Sequence, residues 1–157
     1  MLRIIKVMLC GLMFLSSASV IAETTVSLDQ QRITSRVGST LSVDIVMSGA
    51  PTSEGGGVNL RYDPQLVKVK SVSVDKTTWN FVNNDGVIDN SKGVVSGILF
   101  SSYNGVTGDA KIATVELEFV GKGKGGITLS QSEINPFAGN GQTLAVTFKP
   151  SKIRVRR

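Results

Sequence analysis

Strict alternation of apolar and polar residues, in short runs between turn residues, limits this chain more than any other feature. Leu41, Val43, Ile45 and Met47 alternate with Ser42, Asp44 and Val46, and Val58, Leu60 and Tyr62 with Asn59 and Arg61. Val115, Leu117 and Phe119 alternate with Glu116 and Glu118, Val146 and Phe148 with Thr147 and Lys149, and Ile153 and Val155 with Arg154 and Arg156. A period of two puts one set of side chains on a buried face and the other towards solvent or a partner. Val, Ile, Thr and Phe suit such a pleated surface. Breaks recur at Gly38-Ser39, Gly49-Ala50-Pro51, Asp63-Pro64, Asn84-Asp85-Gly86, Lys92-Gly93, Asn104-Gly105 and Asn135-Pro136. These residues accept turn dihedrals. No segment sustains a helical period, so the expectation is one all-β domain, an antiparallel sandwich or barrel.

The first residues follow a different rule. Arg3 and Lys6 precede an apolar run from Val7 to Leu15, then small residues from Ser16 to Ser19, then Val20-Ile21-Ala22. A basic start, a short apolar centre and a small residue at the end are the parts of a secretion signal. The apolar run is shorter than the about 20 residues that a bilayer span needs. Cleavage is therefore expected after Ala22, giving a signal peptide at 1–22, a domain at 23–157 and no membrane span after cleavage. Localisation is expected in the periplasm or the medium. The single cysteine, Cys10, falls inside the apolar run behind the bulky Leu9, which does not suit lipid attachment, so it leaves with the signal.

Several chemistries are excluded. There is no histidine, so imidazole catalysis and imidazole metal ligation are absent. The segment from Asn83 to Asp89 looks like the middle of a calcium loop. With Gly86 at the glycine position, however, Phe81 and Lys92 fall where oxygen ligands are required, so Asp85-Gly86 reads as a hairpin turn. The glycine runs Gly55 to Gly57 and Gly121 to Gly126 match no phosphate-binding pattern and read as flexible strand connections. Glu116 and Glu118 share a strand face with carboxyls about 7 Å apart, a glycosidase-like spacing. Nothing around them supplies a cleft, and they read as solvated. Neither a catalytic residue, a cofactor nor a metal is expected. The basic excess, 17 Lys and Arg against 12 Asp and Glu, gathers in Lys152, Arg154, Arg156 and Arg157 without interleaved aromatics, which argues against nucleic acid. Tyr62, Phe119 and Phe148 fall on core-facing positions, Trp79 and Phe81 share a face, and only Tyr103 and Phe137 sit in expected loops, a thin platform for sugar.

The order of these segments resembles the cohesin domain family, the receptor modules that bind dockerins. The resemblance runs through Arg36-Val37-Gly38-Ser39-Thr40-Leu41, Val58-Asn59-Leu60-Arg61-Tyr62-Asp63-Pro64, Gly108-Asp109-Ala110-Lys111-Ile112, Gly126-Ile127-Thr128-Leu129, Pro136-Phe137-Ala138-Gly139 and Val146-Thr147-Phe148. It implies a nine-stranded jelly-roll, an immunoglobulin-like β-sandwich, with binding rather than catalysis as its work. It also implies a dockerin-like or diverged protein partner on one sheet face, and Asn59, Arg61, Ser102, Tyr103 and Glu116 are the candidate face residues. Two further readings stay open on the same sandwich: a carbohydrate-binding module for polysaccharide, and a self-associating structural or adhesive subunit using the strand from Lys152 to Arg157 as an edge.

Overall fold

The computed structural model describes residues 23–157, so the expected signal segment and its cleavage after Ala22 lie outside the described residues. Eleven strands follow in order: β1 (Thr24–Leu28), β2 (Arg32–Arg36), β3 (Thr40–Tyr62), β4 (Val67–Val74), β5 (Asn84–Asp89), β6 (Val94–Phe119), β7 (Gly123–Gln131), β8 (Ala138–Gly139), β9 (Gln142–Thr143), β10 (Val146–Phe148) and β11 (Ser151–Arg156). No described helix is long and apolar enough to cross a membrane.

Two strands organise the rest. β3 has 23 residues and β6 has 26, several times the usual strand length of about 5–6. They pair antiparallel from Thr40↔Glu118 to Arg61↔Val94, with register shifts in between. Each passes from one layer into the other. In the first layer, β4, the C-terminal half of β6, the N-terminal half of β3, β1 and β10 lie side by side. The second layer runs β5, the N-terminal half of β6, the C-terminal half of β3, β7, β11 and β2. The layers close as a jelly-roll β-sandwich over one apolar core that includes Val43, Ile45, Leu60, Ile98, Val115, Leu117 and Ile127.

The strand count departs from nine for local reasons. Residues 29–31 separate β1 from β2, and Lys149-Pro150 separates β10 from β11, where Pro150 has no N–H to offer a ladder. The turn residues at Gly49-Ala50-Pro51 and Asn104-Gly105 end nothing: β3 and β6 run through them as a paired ribbon. Asp85-Gly86 is not a hairpin turn. It lies inside β5, paired with β6, because the Asp85 carboxylate accepts the Val74 N–H at 2.8 Å and ties β5 to the end of β4. The turn falls at 90–93 instead.

The glycine runs are not flexible connections. Gly55, Gly56 and Gly57 are buried within β3. A Cβ on Gly55 would stand 2.3 Å from the Phe100 carbonyl oxygen, one on Gly56 would meet the Phe137 ring at 2.8 Å, and one on Gly57 would meet Ser132 at 2.7 Å. Missing side chains here allow three neighbours to close in. Gly123, Gly125 and Gly126 likewise belong to β7. The basic strand β11 is no edge either, being flanked by β7 and β2, and that removes the basis for self-association through it.

Aromatic residues fill one end of the core. Trp79 and Phe100 pack edge to face at 4.6 Å, Phe100 meets Phe137 at 5.4 Å, and Phe137 meets Phe148 at 6.0 Å. Phe137 lies in a loop as expected but is fully buried, Tyr103 lies within β6 rather than in a loop, and Phe81, expected to share a face with Trp79, is exposed. Trp79 sits on a turn rather than a strand. Its N–H donates to the Asp75 carbonyl, and its indole N–H donates to the Lys111 carbonyl at 2.8 Å. Hydrogen bonds from Thr77, and then from Thr78, hold the Asp75 carboxyl below its ordinary value and brace this turn.

Candidate docking face

The outer surface of the second layer is built by alternation. While Val58, Leu60 and Tyr62 of β3 face the core, Gly57, Asn59 and Arg61 face outwards. On β6, Ile98 and Phe100 are buried, so Leu99, Ser101 and Tyr103 take the outer side, with Leu99 opposite Gly57. β7 sets Ser130 beside Asn59 and Thr128 beside Arg61. On the other flank, β5 places Val87 opposite Ser96.

These strands form the floor of an open groove of about 720 Å³, with Asn59, Leu99 and Ser130 in the floor and Val87 and Ile134 on opposite walls. Past Leu99 it continues into a hollow of about 250 Å³ over Gly55 and Gly56, bounded by Pro136. A third hollow of about 420 Å³ lies against Phe81 and Tyr103. From Arg61 to Tyr103 the band is about 25 Å long at the strand rise. Its apolar residues are unusually open: Val87 is 68% and Ile134 87% exposed, and Phe81 and Tyr103 meet edge to face at 5.1 Å in solvent. The two rings stand at 85° to one another, so they offer no flat shelf for a sugar face. Trp79, with no exposed surface, offers none either.

The five residues expected on one face do not share it. Asn59, Arg61 and Tyr103 do. Ser102 is buried, because neighbouring residues on a strand point to opposite sides and Tyr103 has taken the outer one. Ser101 is the outward serine, and its hydroxyl accepts from the Val82 N–H and donates to the Val82 carbonyl, both at 2.9 Å. Glu116 lies on the first layer, beside Ser42 of β3 and Ser71 of β4, with Lys70 Nζ at 3.9 Å. β6 has changed layers before reaching it. No group of three or more His, Cys, Asp or Glu able to hold a metal occurs among the described residues.

Asn59 has a structural duty. Its Oδ1 accepts the Gly97 N–H at 2.8 Å, where β6 carries an extra residue and Gly97 adopts a φ of 72°. The side chain pins a β-bulge that bends the groove floor. Asn59→Ala should lower unfolding free energy by about 1 kcal/mol, read from the urea midpoint. Sequence reasoning missed Phe81, Val87, Leu99 and Ile134. Alternation marks Leu99 as outward, but nothing in the sequence tells an apolar side chain left open from one covered by a loop.

A family model, Cohesin domain, matches residues 25–155. No curated protein sequence matches the chain. Among solved structures, a non-cellulosomal cohesin from the hyperthermophilic archaeon Archaeoglobus fulgidus superimposes with a TM-score of 0.71 at 17% identity, covering 87% of this chain and 93% of that one. The cohesin in a Coh-OlpA–Doc918 type I cohesin–dockerin complex from Clostridium thermocellum gives 0.67 at 14% identity, covering 85% and 99%. The third cohesin of ScaC, in complex with the ScaB dockerin, from Acetivibrio cellulolyticus gives 0.65 at 18% identity, covering 85% and 99%.

Proposed function

Since the chain belongs to the cohesin family, we propose that it is a non-catalytic docking module that receives a dockerin-like helical partner on the outer face of the second layer. The observation that carries this reading is the band from Arg61 to Tyr103, with open apolar side chains along a shallow groove. A soluble monomer rarely leaves such a set uncovered unless a partner covers it. A helix of about 16 residues matches a 25 Å band. Two of the similar cohesins were solved in complex with dockerins, which supports a partner of that class. The basic, apolar and small-residue order of the first 22 residues supports export, with the module working in the periplasm or the medium. Service in an assembly that acts on polysaccharide is the broader setting we propose.

Calorimetric titration against a panel of purified dockerin domains tests this. At least one should bind, and Val87→Asp with Ile134→Asp should weaken that binding about 100-fold or more, since central apolar anchors carry most of the energy of such interfaces. Glu116→Ala should leave it unchanged. Failure of every dockerin to bind, or full affinity in the double variant, would refute the assignment.

A further inference from the structure

We infer that the chain carries a second interaction surface, a cationic face on β2, β7 and β11 that binds an anionic polysaccharide. The sequences of these three strands contain no Asp or Glu. Their outward positions line up in rungs across the strands: Arg32 with Lys152, Lys124 with Arg154, and Arg36 with Arg156. Lys122 and Arg157 extend the charge at one end. All are exposed, and the ion pairs found among the described residues involve Lys70, Lys92 and Lys111 instead.

The arrangement is unfavourable by itself. Like charges directly opposite on neighbouring strands repel, and here three such pairs are held in register. Protection of a sheet edge would account for the charges on β2. It does not account for those on β11, which lies between β7 and β2. An anion lying between the rungs would turn the repulsion into attraction.

The shape suggests which anion. Between the first two rungs runs a trough of about 710 Å³, floored by backbone at Gly125, Ile153 and Ile33 and walled by Arg32, Lys152, Lys124 and Arg154. Rungs two residues apart are about 7 Å from each other, wide enough for one extended polymer chain. The face has no aromatic ring to stack on bases. Its one open apolar neighbour is Val37 at the end of β2, too little to enter a bilayer. A linear polysaccharide bearing carboxylates fits these features, and it would leave the groove between Val87 and Ile134 free.

Polygalacturonate titrated into the purified protein at low salt is the test, with neutral dextran, phosphatidylglycerol vesicles and single-stranded DNA alongside. Binding of polygalacturonate but not dextran is expected, fading as salt rises. Lys124→Gln with Lys152→Gln and Arg154→Gln should weaken it about 30-fold. The control Lys68→Gln with Lys76→Gln and Lys149→Gln, which removes the same charge from exposed positions elsewhere, should change it less than about threefold. Without polymer the control should keep the wild-type melting temperature and the face variant, relieved of repulsion in two rungs, should melt at or slightly above it; polymer should raise the melting temperature only in the wild type and the control. The inference is overturned if polygalacturonate does not bind, if the two variants lose affinity equally, or if vesicles or DNA bind more tightly than the polysaccharide. None of these readouts depends on a dockerin.

Discussion

Trp79→Ala is expected to lower the free energy of unfolding by about 4 kcal/mol, the upper part of the range for a large buried ring. Trp79 has no exposed surface, and its ring stands at the head of the aromatic row through Phe100, Phe137 and Phe148. Truncation opens a cavity that a paired ribbon of strands cannot collapse to fill. It also strips the Lys111 carbonyl of the indole donor it accepts from, which adds a desolvation penalty to the lost packing. Trp79→Phe keeps most of the volume while losing the donor, so it should cost roughly half as much. The only tryptophan of the chain disappears in both variants, so circular dichroism in urea is the appropriate measurement. A loss below about 1 kcal/mol for the alanine variant would contradict the packing described.

The second large effect is expected at Gly55. Its φ of 152° is a backbone state that side chains rarely adopt, and an added Cβ would lie 2.3 Å from the Phe100 carbonyl oxygen and 2.8 Å from the Ser101 Cα. Both obstacles are backbone, so relief requires β3 and β6 to part where they pair, at Gly55↔Ser101. Gly55→Ala should therefore destabilise by about 3 kcal/mol or more. Gly97→Ala is the contrast. Gly97 also has a positive φ, of 72°, but open space surrounds it, so only the local backbone term of about 1 kcal/mol should appear. Equal losses at the two sites would show that close approach of β3 to β6 is not what the glycine at position 55 provides.

Much of the architecture was readable because alternation is a local property. Val43, Ile45, Leu60, Val115, Leu117, Ile153 and Val155 alternate as core residues, and all are buried. Readings that needed long-range information fared differently. A turn signal does not say whether the chain reverses or runs on as a bent ribbon, so Gly49-Ala50-Pro51 and Asn104-Gly105 look like strand ends in the sequence although β3 and β6 run through them. Parity along one strand does not say which layer that strand occupies, so the sequence cannot show that β6 changes layers before Glu116 and parts it from Asn59. The glycine triplet looked mobile because the reason for its missing side chains, the Phe137 ring and the backbone at Phe100 and Ser101, lies 40 or more positions further along the chain. Of the docking band, the polar floor could be anticipated. Its apolar walls, Val87 and Ile134, could not, since an uncovered side chain is defined by what does not pack on it.

The parallel pairings at the two ends of the chain set the order in which the fold can be completed. β1 lies beside β10 and β2 beside β11, each pair joining residues roughly 120 positions apart, the kind of contact that forms late in folding. Until β11 arrives, β2 has no strand to pair with and β7 lacks a neighbour along residues 123–126. A polypeptide emerging amino end first therefore keeps an unfinished, sticky margin until β11 is free to dock. The C-terminal strand acts as a latch.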